Sequence, residues 1–410
     1  MSFSVFKRLY RHDNLSAYPA QFWLMFWGML MSTVGASMIW PFLMIYVSER
    51  LQRPLGQVAG LMSINALMGL VAAFLAGPLA DRLGRKWIMV IGLVSNGLVY
   101  LLIGQASLLW HFAVLLGLWG FFGPIYRVGG DAMLADLVPA EERADAYALL
   151  RMSNNIGVAI GPAVGGFLAA TSYEIAFLCA AIGLSGYGLL LALFARETLP
   201  DAARRQVSEP PWRAYHQVLR DGDFLRFVAL FIMAQMCAVL IWLLMGVYAK
   251  TQYGVLESRY GWVATTNATI VVFFQLAVTR RTKKYPPLRM MALGTLLYGL
   301  GVGSVALARG FWGFWGSMVI YTLGELILIP TASTYVAGLA PAGMRGRYMG
   351  VYGLGWNIAS GIASPLGGHL SDLLGPLSPW YGGLTIGLLG AFGFMRLRPP
   401  ARLRAAPLET

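Results

Sequence analysis

Charge is scarce in this sequence. Asp, Glu, Lys and Arg make up 12% of its 410 residues, whereas apolar residues make up 58%. A soluble domain carries roughly 25% charged residues, so this chain has too few to cover a water-facing surface of its size. Cysteine is scarcer still. The two present, Cys179 and Cys237, both fall in apolar stretches, which excludes a disulfide framework and a cysteine-based metal site. Four scattered histidines add no nucleophile–base or metal constellation, so a membrane-bound enzyme such as an acyl transferase is not supported, and no cofactor or metal is expected. A long polar segment is also missing. The longest stretch between apolar tracts is about 30 residues, which speaks against a receptor or assembly factor with a large soluble domain.

What the chain does have is long uncharged tracts. Eleven run from Asn14–Ser48 to Leu373–Met395, most of them 19 to 35 residues long. About 20 apolar residues span a bilayer as a helix. The tract Trp87–Tyr126 is 40 residues long and breaks at Gly104–Ser107, which makes two spans of it and twelve in all. The basic start (Lys7, Arg8, Arg11) precedes an apolar run far longer than a signal-peptide core, so an uncleaved first span is expected.

The formal net charge of +13 does not point to nucleic acid, because of where the charge sits. With the first segment placed inside and the loops alternating, inside segments hold 24 Lys and Arg and outside segments five. This bias predicts a multi-pass protein of the cell (inner) membrane with both termini cytoplasmic. Lipid headgroups are a secondary partner for the same charges.

The sequence also repeats itself. "ADLVPAEERADAYALLRMSNNIGVAIGPAVGGFL" (135–168) aligns without gaps to "AGLAPAGMRGRYMGVYGLGWNIASGIASPLGGHL" (337–370), a constant offset of 202. Eleven positions are identical, among them Pro139/Pro341, Arg143/Arg345, Asn155/Asn357, Gly165/Gly367 and Gly166/Gly368. The expected fold is all-α and integral to the membrane, with twelve transmembrane helices in two pseudo-symmetric six-helix bundles. Residues 1–195 form the first bundle, 196–222 a cytoplasmic connection and 223–410 the second. Such halves, with a site between them near the midplane, describe an alternating-access transporter.

Two motifs punctuate the first half. "GPLADRLGRK" closes the second span: Gly77 allows close helix approach, Gly84 a tight turn, and Arg82, Arg85 and Lys86 anchor the inside face around the acid Asp81. "GVAIGPAVGG" lies in the fifth span, where Gly157, Gly161 and Gly165 make a smooth face, Gly166 follows and Pro162 bends the helix. The first stretch resembles motif A of the major facilitator superfamily. The second resembles motif C, associated with that family's drug:proton antiporter branch, and "YTLGELILIP" with "RGRYMGVYG" is similar to the tenth and eleventh spans of its multidrug members. The resemblance implies that motif A latches the cytoplasmic side in the outward-open state, with Asp81 as its acid. Two departures stand out. The Arg-Gln-Gly pattern of motif B is missing from the fourth span, and the second-half counterpart of motif A, "TRRTKKYPPLRM", has no Asp.

Charge inside a span is expensive and usually functional. Glu325 is the sole charged residue from Gly310 to Met344. Arg309 and Arg345 lie about 24 and 30 Å away along a helix. With no cation near it in sequence, desolvation favours its neutral form, which suits reversible protonation. Asp131 is the second proton-coupling candidate. It shares a helix face with Arg127, four residues earlier, as an ion pair that opens on protonation or a fixed brace. Arg151, Asn155, Gln235, Trp242 and Asn357 are candidates for the substrate cavity, and Trp315 and Trp356 for its aromatic walls. His111 and His369 sit near expected outer ends and read as interfacial. The leading expectation is a monomeric, proton-coupled exporter of amphiphilic small molecules. A symporter or facilitator for a small polar metabolite is the alternative, and it would call for more polar cavity residues than the sequence offers.

Overall fold

Backbone groups in a bilayer core find no water to bond, so long apolar runs must satisfy themselves as helices. A computed structural model describes residues 18–139, 142–199, 216–341 and 344–398, and among these it contains helices and no strand. The basic N-terminal stretch, most of the connection between the halves, the C-terminal tail and the repeat pair Ala140/Ala342 lie outside the described residues. Twelve long helices follow one another: α1 (Ala20–Leu51, with a 3-10 turn at Trp40–Phe42), α2 (Leu55–Leu83), α3 (Arg85–Gln105), α4 (Leu109–Leu137), α5 (Arg143–Thr171), α6 (Tyr173–Phe194), α7 (Gly222–Tyr253), α8 (Glu257–Thr282), α9 (Pro287–Leu307), α10 (Gly310–Leu339), α11 (in two pieces, Arg345–Gly353 and Gly355–Leu374) and α12 (Ser378–Arg396). Among the described residues, nine are long and apolar enough to cross a membrane by length and composition. The other three are α5, which carries Arg143, Asp145 and Arg151, the broken α11, and the glycine-rich α12.

The helices alternate in direction. The end that holds Ala20, Gly84 and Arg396 is called proximal here, and the end that holds Leu51, Gln105 and Leu374 distal. Within the first six helices, α1 packs on α5 and α6, α2 on α4, and α3 on α4 and α6. Within the last six, α9 packs on α10 and α12, α8 on α10, and α7 on α11 and α12. Two seams join the sets: α2 against α11, and α5 against α8.

Prolines inside these helices create inter-helix bonds. A proline lacks the N–H that the carbonyl four residues earlier would accept. Pro365 thus frees the Gly361 carbonyl, which accepts from the Ser63 hydroxyl of α2 at 2.8 Å. Pro330 frees that of Leu326, which accepts from the Gln275 amide of α8 at 3.0 Å.

The repeat offset reappears as packing. Gly166 of α5 lies against Glu257 and Gly261 of α8, and Gly368 of α11 against Leu55 and Gly56 of α2. A side-chain carbon on Gly166 would stand 2.6 Å from the Glu257 carbonyl oxygen, and one on Gly368 would stand 2.7 Å from the Gly56 Cα. Since 166 maps to 368 and 55 to 257 under the same offset of 202, the two seams are related contacts.

Candidate functional site

The two sets of helices are bonded to each other near the distal end. There the Lys250 ammonium of α7 bridges the Glu49 carboxylate of α1, at 2.5 Å, and the buried Glu257 carboxylate of α8. Tyr173, at the start of α6, donates its hydroxyl to Glu257 at 2.7 Å. Asp372 of α11 accepts from the backbone N–H groups of Leu55 and Gly56, at 3.0 and 2.7 Å. It supplies the N-cap that Pro54, with no suitable side chain, does not give α2. Deeper, Ser364 donates to the Ala59 carbonyl at 3.0 Å. No equivalent hydrogen bond or ion pair crosses at the proximal end among the described residues.

Motif A accordingly stays within its own half. Asp81 pairs with Arg85 at 3.0 Å, and Arg85 reaches Asp136 at 3.3 Å. Arg82 is exposed, and Gly84 takes the positive φ of 96° that the turn between α2 and α3 needs. The expected close approach at Gly77 is absent: nothing lies within 4 Å of where its side chain would begin, since no neighbouring helix packs on that point of α2. Sequence reading missed Glu197. Its carboxylate accepts from the N–H groups of Arg85 and Lys86, at 2.8 and 3.1 Å, and so closes the start of α3. An acid just after a span looks like any solvated loop charge, and nothing in the sequence marks its partner.

The motif C glycines divide between two neighbours. Gly157, Gly161 and Gly165 face α1 along Thr33 to Met38. Gly166 and Pro162 instead meet α8 at Gly261.

Glu325 sits midway along α10, partly buried. Its Oε2 accepts from the Asn267 Nδ2 of α8 at 2.6 Å, and the same nitrogen donates to Thr322 Oγ1 at 3.0 Å. Tyr321, one turn earlier, stacks on Tyr298 of α9 with ring centroids 4.5 Å apart and accepts from the Trp242 indole at 3.2 Å. Trp242 and Glu325 are thus brought to one region of the second half. No ion pair involves Glu325 among the described residues.

The other candidates scatter. Arg127 and Asp131 are exposed and form no ion pair within 4.0 Å, so the expected pair is not made in this conformation; the two side chains, four residues apart, extend without meeting. Arg151 is exposed near Tyr352 of α11, and Asn155 is partly buried. Gln235 is buried in α7 with no partner for its Oε1 among the described residues, so it does not line an open cavity as expected. Asn357 is partly buried against Gly69 of α2. Trp315 donates to Thr266 at 3.0 Å on an exposed face. Trp356 joins Trp40 and Trp119, at centroid distances of 6.4 Å from Trp40 and 5.3 Å between the latter two, in an aromatic cluster shared by the halves. Sequence reading named only Trp356 of the three.

The comparisons with known proteins agree with this architecture. The family model described as "Major Facilitator Superfamily" matches residues 25–258 and 230–410. The Na(+), Li(+), K(+)/H(+) antiporter of Planococcus maritimus is 28% identical over 390 residues, 87% of this chain and 89% of that protein. The multidrug resistance protein MdtH of Escherichia coli is 28% identical over 330 residues, 78% of this chain and 79% of that one. Among solved structures, a POT family transporter in complex with 5-aminolevulinic acid superposes with a TM-score of 0.79 at 16% identity, covering 93% of this chain and 97% of the other. The nucleoside transporter NupG also gives 0.79, at 12% identity over 92% and 99%. With its twelve helices, its repeated halves and a family model matched in each of them, the chain belongs to the Major Facilitator Superfamily and is a multi-pass membrane transporter.

Proposed function

We propose that the protein is a proton-coupled exporter of amphiphilic small molecules in the cell membrane, monomeric and with both termini in the cytoplasm. The observation that carries this reading is Glu325. It is a lone carboxyl group at mid-helix, held by an amide and close to the stacked Tyr298 and Tyr321, the latter bonded by Trp242, and it has no ion pair among the described residues. A permanent charge at that depth is costly, and a permanently neutral group could not couple a proton to anything. A carboxyl group that alternates between the two meets both demands. When ionised it draws a cationic amphiphile toward aromatic surface, and when protonated it releases it, so proton and cargo compete. The names of the relatives, an antiporter and a multidrug resistance protein, support this reading.

The excess of Lys and Arg in the inside segments supports a cytoplasmic proximal end. The conformation bonded at its distal end is then closed to the outside. Asp131, exposed on α4 toward the proximal end, is the second acid available to the cytoplasmic route. Asp81 and Arg85, paired within their own half here, supply the cytoplasmic latch when the halves close at that end.

A second reading, exchange of a monovalent metal cation for protons, is favoured by the antiporter from Planococcus maritimus. It assigns Glu325 the same protonation cycle. Purified protein in liposomes under an imposed pH gradient tests both, with cationic amphiphiles in one arm and Na+, Li+ or K+ in the other. Glu325→Gln abolishes gradient-driven accumulation while leaving downhill passage. Accumulation at the wild-type level in that variant overturns Glu325 as the coupling acid.

A further inference from the structure

We propose that Asn267 is a positioning residue that ties the protonation of Glu325 to the position of α8; this rests on Glu325 being the coupling acid. Hydrogen-bond direction fixes the arrangement around Asn267. The Thr322 hydroxyl lies 2.7 Å from the Met318 carbonyl, which can only accept, so Thr322 spends its hydrogen there. Its oxygen is left as an acceptor and must face a donor. That fixes the Asn267 amide with Nδ2 toward Thr322, at 3.0 Å, and the same nitrogen turns its second hydrogen to Glu325 Oε2, at 2.6 Å. The carbonyl at one end therefore orients the whole chain from Met318 to Glu325. Oε2 faces a donor in either protonation state, and an arriving proton binds Oε1.

Protonation then changes the strength of one bond between two helices. A hydrogen bond to a carboxylate is roughly twice as strong as one to a neutral acid. Asn267 belongs to α8 and Glu325 to α10, so the tie between these helices is strong when Glu325 is charged and weak when it carries a proton. The other titratable groups around this site are the phenols of Tyr298 on α9 and Tyr321 on α10, with Cys237 of α7 and Tyr352 of α11 farther out. No Lys, Arg or His bonds to Glu325 among the described residues to stand in for Asn267.

The helix so held also closes the distal end. Glu257 and Gly261 of α8 lie against Gly166 and Pro162 of α5, and Asn267 follows Glu257 by ten residues, about 15 Å along the helix. Loosening α8 at Asn267 therefore acts on the element that forms one of the two seams. The proton is converted into helix position without any side chain having to travel between the halves.

The test uses full-length protein in liposomes, with spin labels at the distal ends of α5 and α8 in a background lacking Cys179 and Cys237. The distal separation is followed against pH. In the unsubstituted chain the balance of closed and open forms responds to pH. Glu325→Gln makes it flat. Asn267→Leu makes it flat as well, and Asn267→Ser, which disturbs packing less, reduces the response in the same direction. Thr322→Val, which removes only the group that orients the amide, gives an intermediate loss. In infrared spectra the carbonyl band of protonated Glu325, identified by its absence in Glu325→Gln, moves to higher wavenumber in Asn267→Leu. A full pH response in both Asn267 variants with a flat one in Glu325→Gln overturns the role of Asn267 alone. A full response in Glu325→Gln overturns the coupling reading and this inference with it.

Discussion

Glu197 shows what one side chain contributes when its partners are backbone groups. Its two oxygens receive the N–H groups of Arg85 and Lys86 at the start of α3, and those of Thr198 and Leu199 on its own strand of chain. The first N–H groups of any helix have no intrahelical acceptor. Removing a side chain that caps them costs about 0.5–2 kcal/mol. Glu197→Ala is therefore expected to lower the thermal unfolding midpoint in detergent, with Glu197→Gln, which keeps an acceptor, in between. An unchanged midpoint in the alanine variant would show that solvent caps α3 equally well. At this scale the sequence was legible for Glu325, because a lone acid in 35 residues is a local signal. It was not legible for Glu197, Trp40 or Trp119, whose meaning depends on which distant residue each one meets.

Among the elements, α5 offers the sharpest contrast. Four glycines between Gly157 and Gly166 look alike in sequence, yet three face α1 within the first half and Gly166 faces α8 in the second. A bulky residue at Gly165 is expected to damage the packing of α1 on α5, and to be read as reduced yield and stability. Gly166→Val is expected to leave that packing intact and hold α5 and α8 apart, so that label distances at the distal end lengthen. Gly368→Val should do the same at the seam of α2 and α11. Normal distal distances in a folded, active Gly166→Val protein would contradict the seam. Helix number and length were readable because hydrophobic length is a local property. The partner of each glycine was not, since a small residue every fourth position fits any close neighbour. Gly77 differs again: nothing lies within 4 Å of where its side chain would begin, so no neighbour uses its smallness here.

Over the whole molecule, balance matters more than any single bond. A transporter must keep its two end states within a few kcal/mol of each other, or one goes unpopulated. The distal end is held here by Lys250 between two acids, by Tyr173, and by Asp372 on the start of α2. Lys250→Met removes the cation and leaves Glu49 and Glu257 to repel each other. It is expected to shift the population toward the distal-open form, as is Asp372→Asn, and the double variant further than either. Interhalf distances measured in liposomes check this, and unchanged distributions in the double variant would refute it. The repeat that relates the two seams was visible as an offset of 202. That the second half keeps its own acid at the head of α8 while the first borrows Asp372 from across the seam was not visible. Both positions read as loop charges until the chain is folded.

The Gly361 carbonyl has one more consequence. Pro365 leaves it without a partner in its own helix, and Ser63 supplies the bond from the opposite half. When α2 and α11 separate, Ser63 can turn its hydroxyl to a carbonyl of its own helix, but the Gly361 carbonyl has no replacement, and a bare carbonyl cannot be left facing hydrocarbon. Separation at this seam must therefore bring hydration with it, down to the level of Ser63, eight residues or about 12 Å below the start of α2. The distal cleft is expected to open as a wetted channel, and hydroxyl-radical footprinting would mark that depth along α2 and α11 in the open form alone.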